Sequence, residues 1–503
     1  MTTTDGRSFY FLVAALWIGN ILPALDATLV GTALPTVIGS LDGVRLYSWV
    51  FAAYLLALTV SIPIFGKLTD LFGRKPVYFF GMGLFLIGSV LSSLVQNVEQ
   101  LIICRVLLGL ATASVVPAVM TIMGDAIPME RRAKIQWVFA SAWFASSVIG
   151  PIVASAVIAW IGWRFVFLVL VPPGLLATYL MATRYHEHVE RKSRRVDILG
   201  VALLGGGVLA LLFALSPTNR SGGIDIASAG GLLAVAAVLL ALFLRHELRA
   251  PEAVLPPRLF MAPVLGIAAL GSLASGVVQS GAQSFVPMLV QGGMGGTAAD
   301  VGLVLPWLTI GWPTGAGLAG RFLLRVGFRT SVVAGLVLVV AAQAGFLLAD
   351  GQSGRAYLAA VMTLLGLGFG FSSVAFTIAV QSSVAWGDRG VATSSLQFFR
   401  SIGGSVGVAV MGTIVSMRMQ PLLDRASEAG AVSTSALLDP TARAALQPEL
   451  LAMLQQGMVE AIRGSFLVMA AAAVAGLIAV LWFPARIHEP ASPVAERVPA
   501  TGG

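Results

Sequence analysis

The sequence predicts an all-α integral membrane protein. Hydrophobic residues make up 57% of the 503 residues and charged residues only 11%, less than half of the roughly 25% charged residues typical of soluble domains. The apolar residues form continuous runs of about 20 residues, which is the length that a helix needs to cross a bilayer. Such runs must be helical in lipid because every backbone polar group needs an internal partner, whereas a barrel would show short alternating segments.

Fourteen apolar runs are long enough to be predicted as membrane helices. They cover residues 9–36, 47–68, 76–96, 100–123, 135–160, 163–183, 197–216, 224–244, 263–289, 301–320, 331–349, 356–383, 394–417 and 463–483. The first run contains Pro23 and Asp26 and is too long for the apolar part of a signal peptide. We therefore expect it to remain as the first helix.

Polar stretches divide these helices into a set of six, a pair and a second set of six. The predicted units are an N-terminal six-helix bundle (1–190), a two-helix linker insertion (191–258) and a C-terminal six-helix bundle (259–503). The last unit includes a long polar segment, about 420–462, expected outside the cytoplasm. Within it, residues 446–458 have the pattern of a short amphipathic helix lying on the membrane surface.

The two outer sets of helices carry signs of an internal repeat. Residues 66–75 and 320–329 each follow the second helix of their set, with two glycines at the same spacing and a basic residue at the end. Leu-Leu-Gly-Leu at 107–110 recurs at 364–367, and the acidic-Arg pair at 130–131 recurs at 388–389, at nearly the same offset. Parallel six-helix repeats are typical of one large transporter architecture, with the substrate site between the halves.

The charge distribution predicts the orientation in the membrane. The net charge of +8 comes from Lys and Arg that gather beside helix ends, mostly in loops expected to be cytosolic, which is the positive-inside pattern. Both termini are accordingly predicted in the cytosol, with the protein multi-pass in the cytoplasmic membrane. No separate basic domain is present, so a nucleic-acid partner is not expected.

Residue types needed for several other functions are missing from the sequence. It contains no phosphate-binding loop of the G-x-x-x-x-G-K-S/T type, only four His and a single cysteine, Cys104. Neither ATP-driven transport nor metalloenzyme chemistry is therefore expected, and neither a cofactor nor an enzymatic activity is predicted. A lone cysteine also excludes an intramolecular disulfide.

Asp26 is the acidic residue deepest within an apolar run. A charged group at bilayer depth costs roughly 2.5–3.5 kcal/mol on insertion scales, so its presence indicates a function. Burial disfavours the charged form of a carboxylate, which makes Asp26 a natural proton carrier. A cation-binding site and a hydrogen-bonded structural acid remain alternative interpretations.

Several motifs resemble those of a known transporter family. Residues 66–75 (GKLTDLFGRK) are similar to the signature loop of the major facilitator superfamily, and 101–109 (LIICRVLLG) to its arginine-bearing motif in helix 4. Residues 25–35 (LDATLVGTALP) and 388–400 (DRGVATSSLQFFR) resemble motifs of the fourteen-helix drug:proton antiporter branch, as does Gly150-Pro151. The resemblance covers nearly the whole chain and implies the major facilitator fold, two six-helix bundles plus two extra helices.

The resemblance implies roles for particular residues. The loop after helix 2 would be a conformational latch between the halves; its predicted residues are Gly66, Asp70, Gly73, Arg74 and Lys75. The alternative is a plain topology anchor of positive charge. Arg105 would stabilise the charged form of a neighbouring acid and release that acid during transport, so Asp26 and Arg105 are together the predicted proton-coupling residues. The alternative is that backbone carbonyls near the helix end hold Arg105.

Other polar, aromatic and helix-breaking residues suggest the cavity and its packing. Gly150 and Pro151 predict a hinge or a close helix contact. Gln279 and Gln283 lie on one face of helix 9 and either line the substrate cavity or join helices. Trp143 and Phe144, with Trp307 and Trp312, either form an aromatic wall for a planar or cationic ligand or pack in the membrane.

Together these observations predict a secondary active transporter. The expected function is proton-coupled efflux of amphipathic small molecules or drugs by alternating access, performed by a monomer whose partners are substrate, protons and membrane lipid. A dedicated exporter of one metabolite, such as a siderophore, a pigment or a self-made antibiotic, fits the same residues. A lipid or surface-assembly factor that uses residues 420–462 is an alternative from a different class.

Overall fold

The structure, a computed structural model, describes residues 6–41, 47–127, 129–185, 187, 197–215, 226–250, 253, 255–296, 298–351, 353–427 and 447–484. These residues form helices and connecting turns, and no strand is found among them. The helices are α1 (Gly6–Ser40), α2 (Tyr47–Phe72), α3 (Arg74–Leu94), α4 (Val98–Ala126), α5 (Met129–Trp160), α6 (Arg164–Leu168), α7 (Val171–Arg184), α8 (Ile198–Leu215), α9 (Ile226–Glu247), α10 (Pro257–Met261), α11 (Pro263–Met288), α12 (Ala298–Val304), α13 (Pro306–Leu348), α14 (Arg355–Ser383), α15 (Arg389–Ser427) and α16 (Pro448–Val480).

Thirteen helical stretches in the described part of the chain are long and apolar enough to cross a membrane. The expectation was fourteen. The remaining one corresponds to α8, which forms where a helix was predicted but whose apolar stretch, Leu199–Leu211, is shorter than the others. An all-helical membrane protein is therefore confirmed, with α8 as the element that falls below the length of about 20 residues needed to span a bilayer.

Glycines shape the same turn in both halves of the chain. Gly73 separates α2 from α3 with φ 94° and ψ 161°, and Gly327 interrupts α13 with φ 83° and ψ 176°. Positive φ of this kind is accessible to glycine and costly for other residues. α13 therefore comprises two helices separated by the non-helical turn at Gly327, and they correspond to the predicted helices at 301–320 and 331–349. The turn lies where the sequence repeat places the equivalent of Gly73.

The helices pack around three hydrophobic cores. One core runs through α1–α7, from Leu12 to Tyr185, and we call these helices the N-terminal bundle. A second runs through α11–α16, from Val264 to Phe483, and defines the C-terminal bundle. A third, smaller core joins α8 and α9 to α2 and α15, so the two extra helices lie against the seam between the bundles.

The last helix differs from the sequence prediction. Residues 446–458 were expected to form a separate amphipathic helix on the membrane surface, but residues 448–458 are the first turns of the continuous helix α16. Leu454 and Met458 are fully buried in the C-terminal core. Their apolar face is therefore covered by neighbouring helices rather than by lipid. Most of the polar segment, residues 428–446, lies outside the described residues.

Candidate functional site: a buried ion pair and a charge cluster between the bundles

Asp26 and Arg105 form a buried ion pair in the N-terminal bundle. Arg105 Nη1 donates to Asp26 Oδ2 at 2.7 Å, and the two side chains are only 1% and 0% exposed. α1 contributes the acid and α4 the base, from two helices that pack together in the same core. The structure thus places the one acid next to the one arginine that the sequence singled out for proton coupling.

Some polar atoms of the Asp26–Arg105 pair have further contacts and others have none in the described part of the chain. The Arg105 guanidinium lies 4.5 Å from the centre of the Tyr54 ring, and the Tyr54 hydroxyl is hydrogen-bonded to Thr112 Oγ1 at 3.1 Å. Asp26 Oδ1 and Arg105 Nε are buried and have no hydrogen-bond partner among the described residues. Protonation of Asp26 would remove its charge and leave Arg105 in need of another acceptor, so the pair has the chemistry of a two-state element.

Asp70 contacts the opposite bundle at the start of a helix. Its Oδ1 accepts the backbone N–H of Gly390 at 2.9 Å and its Oδ2 accepts that of Val391 at 2.8 Å. Both donors belong to the first turn of α15, where backbone N–H groups have no partner within the helix and the helix dipole favours a negative charge. A carboxylate at the end of α2 therefore caps a helix of the C-terminal bundle.

Arg74 extends this contact into a charge cluster between the bundles. Its Nη2 donates to the carbonyl of Trp386 at 2.8 Å, its guanidinium lies 3.7 Å from the centre of the Trp386 ring, and its Nε is 3.1 Å from Asp125 Oδ2. Asp125 also pairs with Arg389, whose Nη1 is 3.0 Å from Oδ1. Asp70, Arg74 and Asp125 of the N-terminal bundle thus meet Trp386 and Arg389 of the C-terminal bundle; these five residues are the inter-bundle cluster.

Two glycines allow α2 and α15 to approach closely at this point. A Cβ added to Gly66 would lie 1.9 Å from Ser394 Oγ, and one added to Gly390 would lie 2.2 Å from Thr69 Oγ1 and 2.6 Å from the carbonyl oxygen of Gly66. Neither position can carry a side chain without moving the helices apart. Gly66 is therefore part of the contact that holds Asp70 within reach of α15.

Lys75 is directed towards its own bundle. Its ammonium group donates to the carbonyls of Ala182, at 3.1 Å, and Tyr185 at the end of α7. Glu187 accepts the backbone N–H groups of Arg74 and Lys75, each at 2.8 Å. These bonds fix the turn at Gly73 against α7, so Lys75 positions the loop and does not itself reach the C-terminal bundle.

Gly150 lies where α5 crosses α1. A Cβ at Gly150 would be 2.1 Å from Thr28 Oγ1, and Thr28 Oγ1 donates to the carbonyl of Ser146 at 3.1 Å. α5 continues as a helix through Pro151. Of the two interpretations offered for Gly150-Pro151, this geometry favours a close helix contact.

The four predicted cavity residues lie on two helices. Gln279 is half-buried and Gln283 exposed on α11, on the same face as Ser272 and Ser275 by helical spacing. Trp143 is 53% exposed on α5, and Phe144 is half-buried. Among the described residues, no ring contact or hydrogen bond joins the two glutamines to the aromatic pair. These four residues are therefore candidates and not an assembled site.

Sequence reasoning did not find several members of these clusters. Asp125, Trp386 and Glu187 reach Arg74 from positions far away in the chain, and no local spacing pattern marks them. The one available signal was the acidic-Arg pair at 388–389, whose Arg389 proves to be the partner of Asp125.

Two helical bundles around separate cores, with charged contacts where they meet, are typical of membrane transporters built from two repeats. The family model of the Major Facilitator Superfamily matches residues 16–408, and the chain belongs to this superfamily. It is a multi-pass membrane transporter and not an enzyme.

Relatives with export functions in their names match most of the chain. The Multidrug transporter protein MdtP of Bacillus subtilis (strain 168) is 32% identical over 415 residues, 82% of this chain and 76% of that protein. The Tetracenomycin C resistance and export protein of Streptomyces glaucescens is 29% identical over 82% of this chain and 77% of that protein. The solved structure of the proton:xylose symporter XylE covers 95% of this chain and 97% of that one with a TM-score of 0.58 at 14% identity, which concerns the fold alone.

Proposed function

We propose that this protein exports amphipathic small molecules across the cytoplasmic membrane in exchange for protons. The observation that carries the proposal is the Asp26–Arg105 pair, a carboxylate and a guanidinium 2.7 Å apart and almost fully excluded from solvent. Proton binding at Asp26 would release Arg105 and so couple protonation to a rearrangement of α1 against α4. The multidrug and export names of the relatives support the direction of transport and the type of substrate.

The inter-bundle cluster supplies the second part of the mechanism. With both termini in the cytosol, the loop between α2 and α3 is cytosolic, and the bonds from Asp70 to α15 close that end of the molecule. Alternating access requires these bonds to form and break in each cycle. Asp70, Arg74 and Gly66 would therefore govern conversion between states and leave substrate contacts to other residues.

A dedicated exporter of one metabolite is a second candidate of the same class. It is favoured by the Streptomyces relative, which is named for resistance to and export of tetracenomycin C. The two candidates differ in the range of substrates and not in the coupling residues, so a panel of unrelated compounds separates them.

Accumulation of dyes in cells that lack their own efflux pumps tests the proposal. We would express the protein and its Asp26→Asn variant at equal levels and follow a neutral dye (N-phenyl-1-naphthylamine), an anionic dye (8-anilinonaphthalene-1-sulfonate) and a cationic dye (ethidium). We expect lower accumulation of at least one dye with the wild-type protein, reversed by an uncoupler. Export that persists after the proton gradient is collapsed would contradict proton coupling, and no difference for any compound of a wider panel would contradict broad efflux.

A further inference from the structure

Arg400 is a charged residue in the first third of α15, about three helical turns from its start, with no acidic partner in the part of the chain that the structure describes. The other arginines of the sites described above are paired, Arg105 with Asp26 and Arg389 with Asp125. The Nε of Arg400 is buried and without a hydrogen-bond partner. The guanidinium carbon of Arg400 lies 5.6 Å from the centre of the Trp312 ring.

A narrow pocket inside the C-terminal bundle borders this guanidinium, and its free space of about 10 Å³ is the room of about one water molecule. Trp312 of α13 covers one face and itself packs on Phe369 of α14, with ring centres 5.3 Å apart. The polar part of the lining consists of hydroxyl groups from two helices: Ser272 and Ser275 of α11, and Ser372 and Ser373 of α14. An arginine beside several hydroxyls and aromatic rings supplies the donors that an anionic group needs. The helices would have to move apart to admit a group larger than water, as they do in a transporter that alternates between states.

The serines can donate to such an anion. Ser275 Oγ donates to the carbonyl of Gly271 at 2.7 Å and Ser372 Oγ to that of Gly368 at 2.9 Å. These are bonds within one helix turn, and a hydroxyl proton rotates to suit a stronger acceptor. Gln279 and Gln283 continue the face of α11 that carries Ser272 and Ser275, so a polar track leads away from the pocket.

The charges inside the membrane-spanning region favour an anionic ligand over a cationic one. Asp26 and Arg105 neutralise each other, which leaves the charge of Arg400 uncompensated among the deep residues described. An unpaired charge at this depth is costly, and the contact with Trp312 offsets only a part of that cost. A cation in the pocket would add repulsion, whereas an anion would supply the missing partner.

We infer that Arg400 and its serine neighbours bind the anionic group of the transported molecule, a carboxylate, sulfonate or phosphate ester on an apolar body. This inference rests on the proposed export function for the identity of the ligand as a substrate. A small inorganic anion such as chloride offers the same chemistry, and the experiment below distinguishes the two sources. Guanidinium and hydroxyl donors form short, charge-assisted hydrogen bonds to such groups.

Binding of two matched probes to the full-length protein in lipid nanodiscs tests the inference. 8-Anilinonaphthalene-1-sulfonate and N-phenyl-1-naphthylamine share one ring system and differ in the sulfonate. Energy transfer from tryptophan to probe reports the protein-bound fraction, with empty nanodiscs as background. The variants are Arg400→Gln, Arg400→Lys and the control Arg325→Gln, which removes the same charge from an exposed position of α13.

We expect Arg400→Gln to weaken binding of the sulfonate probe about tenfold or more, the effect of losing a charge-assisted hydrogen bond, with binding of the neutral probe unchanged. Arg400→Lys should retain most of the affinity and Arg325→Gln all of it. Unchanged sulfonate binding in Arg400→Gln would overturn the inference. An equal loss for both probes would also overturn it, because it would indicate damage to the pocket and not loss of a charge partner.

Exchange of chloride for gluconate at constant ionic strength separates the two sources of the anion. If chloride competes with the sulfonate probe and the competition disappears in Arg400→Gln, the site binds small inorganic anions in addition to organic ones. Absence of competition would assign it to the organic anion alone. The binding measurement uses no gradient, so it is independent of the export assay. Arg400-dependent binding without export would contradict only the proposed function, and export of the neutral dye without Arg400-dependent binding would contradict only the anion site.

Discussion

The substitution Asp26→Asn separates the charge of the deep pair from its shape. It keeps the size of the side chain but leaves Arg105 without its acidic partner, in a site where both side chains are at most 1% exposed. Removing one member of a buried ion pair typically costs about 3–5 kcal/mol, because the other charge stays buried and unpaired. The contact of Arg105 with the Tyr54 ring, at 4.5 Å, contributes about 0.5–2 kcal/mol and offsets a part of this.

We expect two separable results in reconstituted proteoliposomes. Asp26→Asn should abolish uphill transport driven by an imposed pH gradient, while exchange of substrate down its own gradient survives. The melting temperature should fall, and a second change, Arg105→Gln, should restore stability without restoring coupling, because the unpaired charge is gone but the proton carrier is still missing. This double variant shows that the loss of coupling is not a consequence of instability.

Asp300→Asn provides a matched control. Asp300 also pairs with an arginine, Arg355, at 3.0 Å, but Arg355 is 59% exposed. The Asp300 side chain is only 10% exposed, but Arg355 keeps its access to solvent when the acid is neutralised, so no unpaired charge is left buried and uphill transport should continue. Full pH-driven accumulation by Asp26→Asn would refute the reasoning and remove Asp26 from the coupling step.

Three further predictions concern the inter-bundle cluster and the orientation. Asp70→Asn should slow net transport while substrate affinity stays near wild type, because the bonds to α15 control closure and not substrate contact; a collapse of affinity with normal exchange would argue against a latch. Gly66→Ala should reduce transport strongly, since the new Cβ would lie 1.9 Å from Ser394 Oγ. Adding Ser394→Gly to the same protein should recover part of the transport rate, and no recovery would point to another cause. In a chain lacking its native cysteine, a cysteine at Ser435, which is outside the described residues, should react with an impermeant reagent from outside. A cysteine at Arg132, near the start of α5, should not react, and the opposite pattern would invert the topology.

The sequence was informative where a single residue type imposes a backbone geometry. The sequence repeat pairs the glycines at 73 and 327, and both adopt a positive φ that is accessible to glycine and costly for other residues. The all-helical fold can be predicted for a similar reason: in lipid, a long apolar run must satisfy its own backbone hydrogen bonds, and a helix does so within one segment. These features depend on local rules, so they can be derived from a short stretch of chain.

Features that depend on which surfaces meet were harder to derive. Residues 446–458 have an amphipathic pattern that either a membrane surface or a neighbouring helix can satisfy, and burial of Leu454 and Met458 in the C-terminal core shows that a helix does so here. The partners of Arg74 come from separate elements, including Asp125 at the end of α4. Their arrangement is fixed by tertiary packing, and no periodicity in the sequence reports it.

The positive charge of Arg400 has an electrical consequence for the transport cycle. One charge that crosses a membrane potential of 100 mV yields about 2.3 kcal/mol, and one pH unit yields about 1.4 kcal/mol. Exchange of one proton for a neutral molecule moves one charge and supports a gradient of roughly 500-fold, whereas exchange for a monovalent cation moves none and supports about tenfold. Exchange of one proton for a monovalent anion moves two charges inward. The potential and the pH difference then supply about 6 kcal/mol, which supports a substrate gradient of roughly 10⁴-fold. A pocket that selects anions would thus raise the charge moved per proton from one to two and make membrane voltage the main driving force for export.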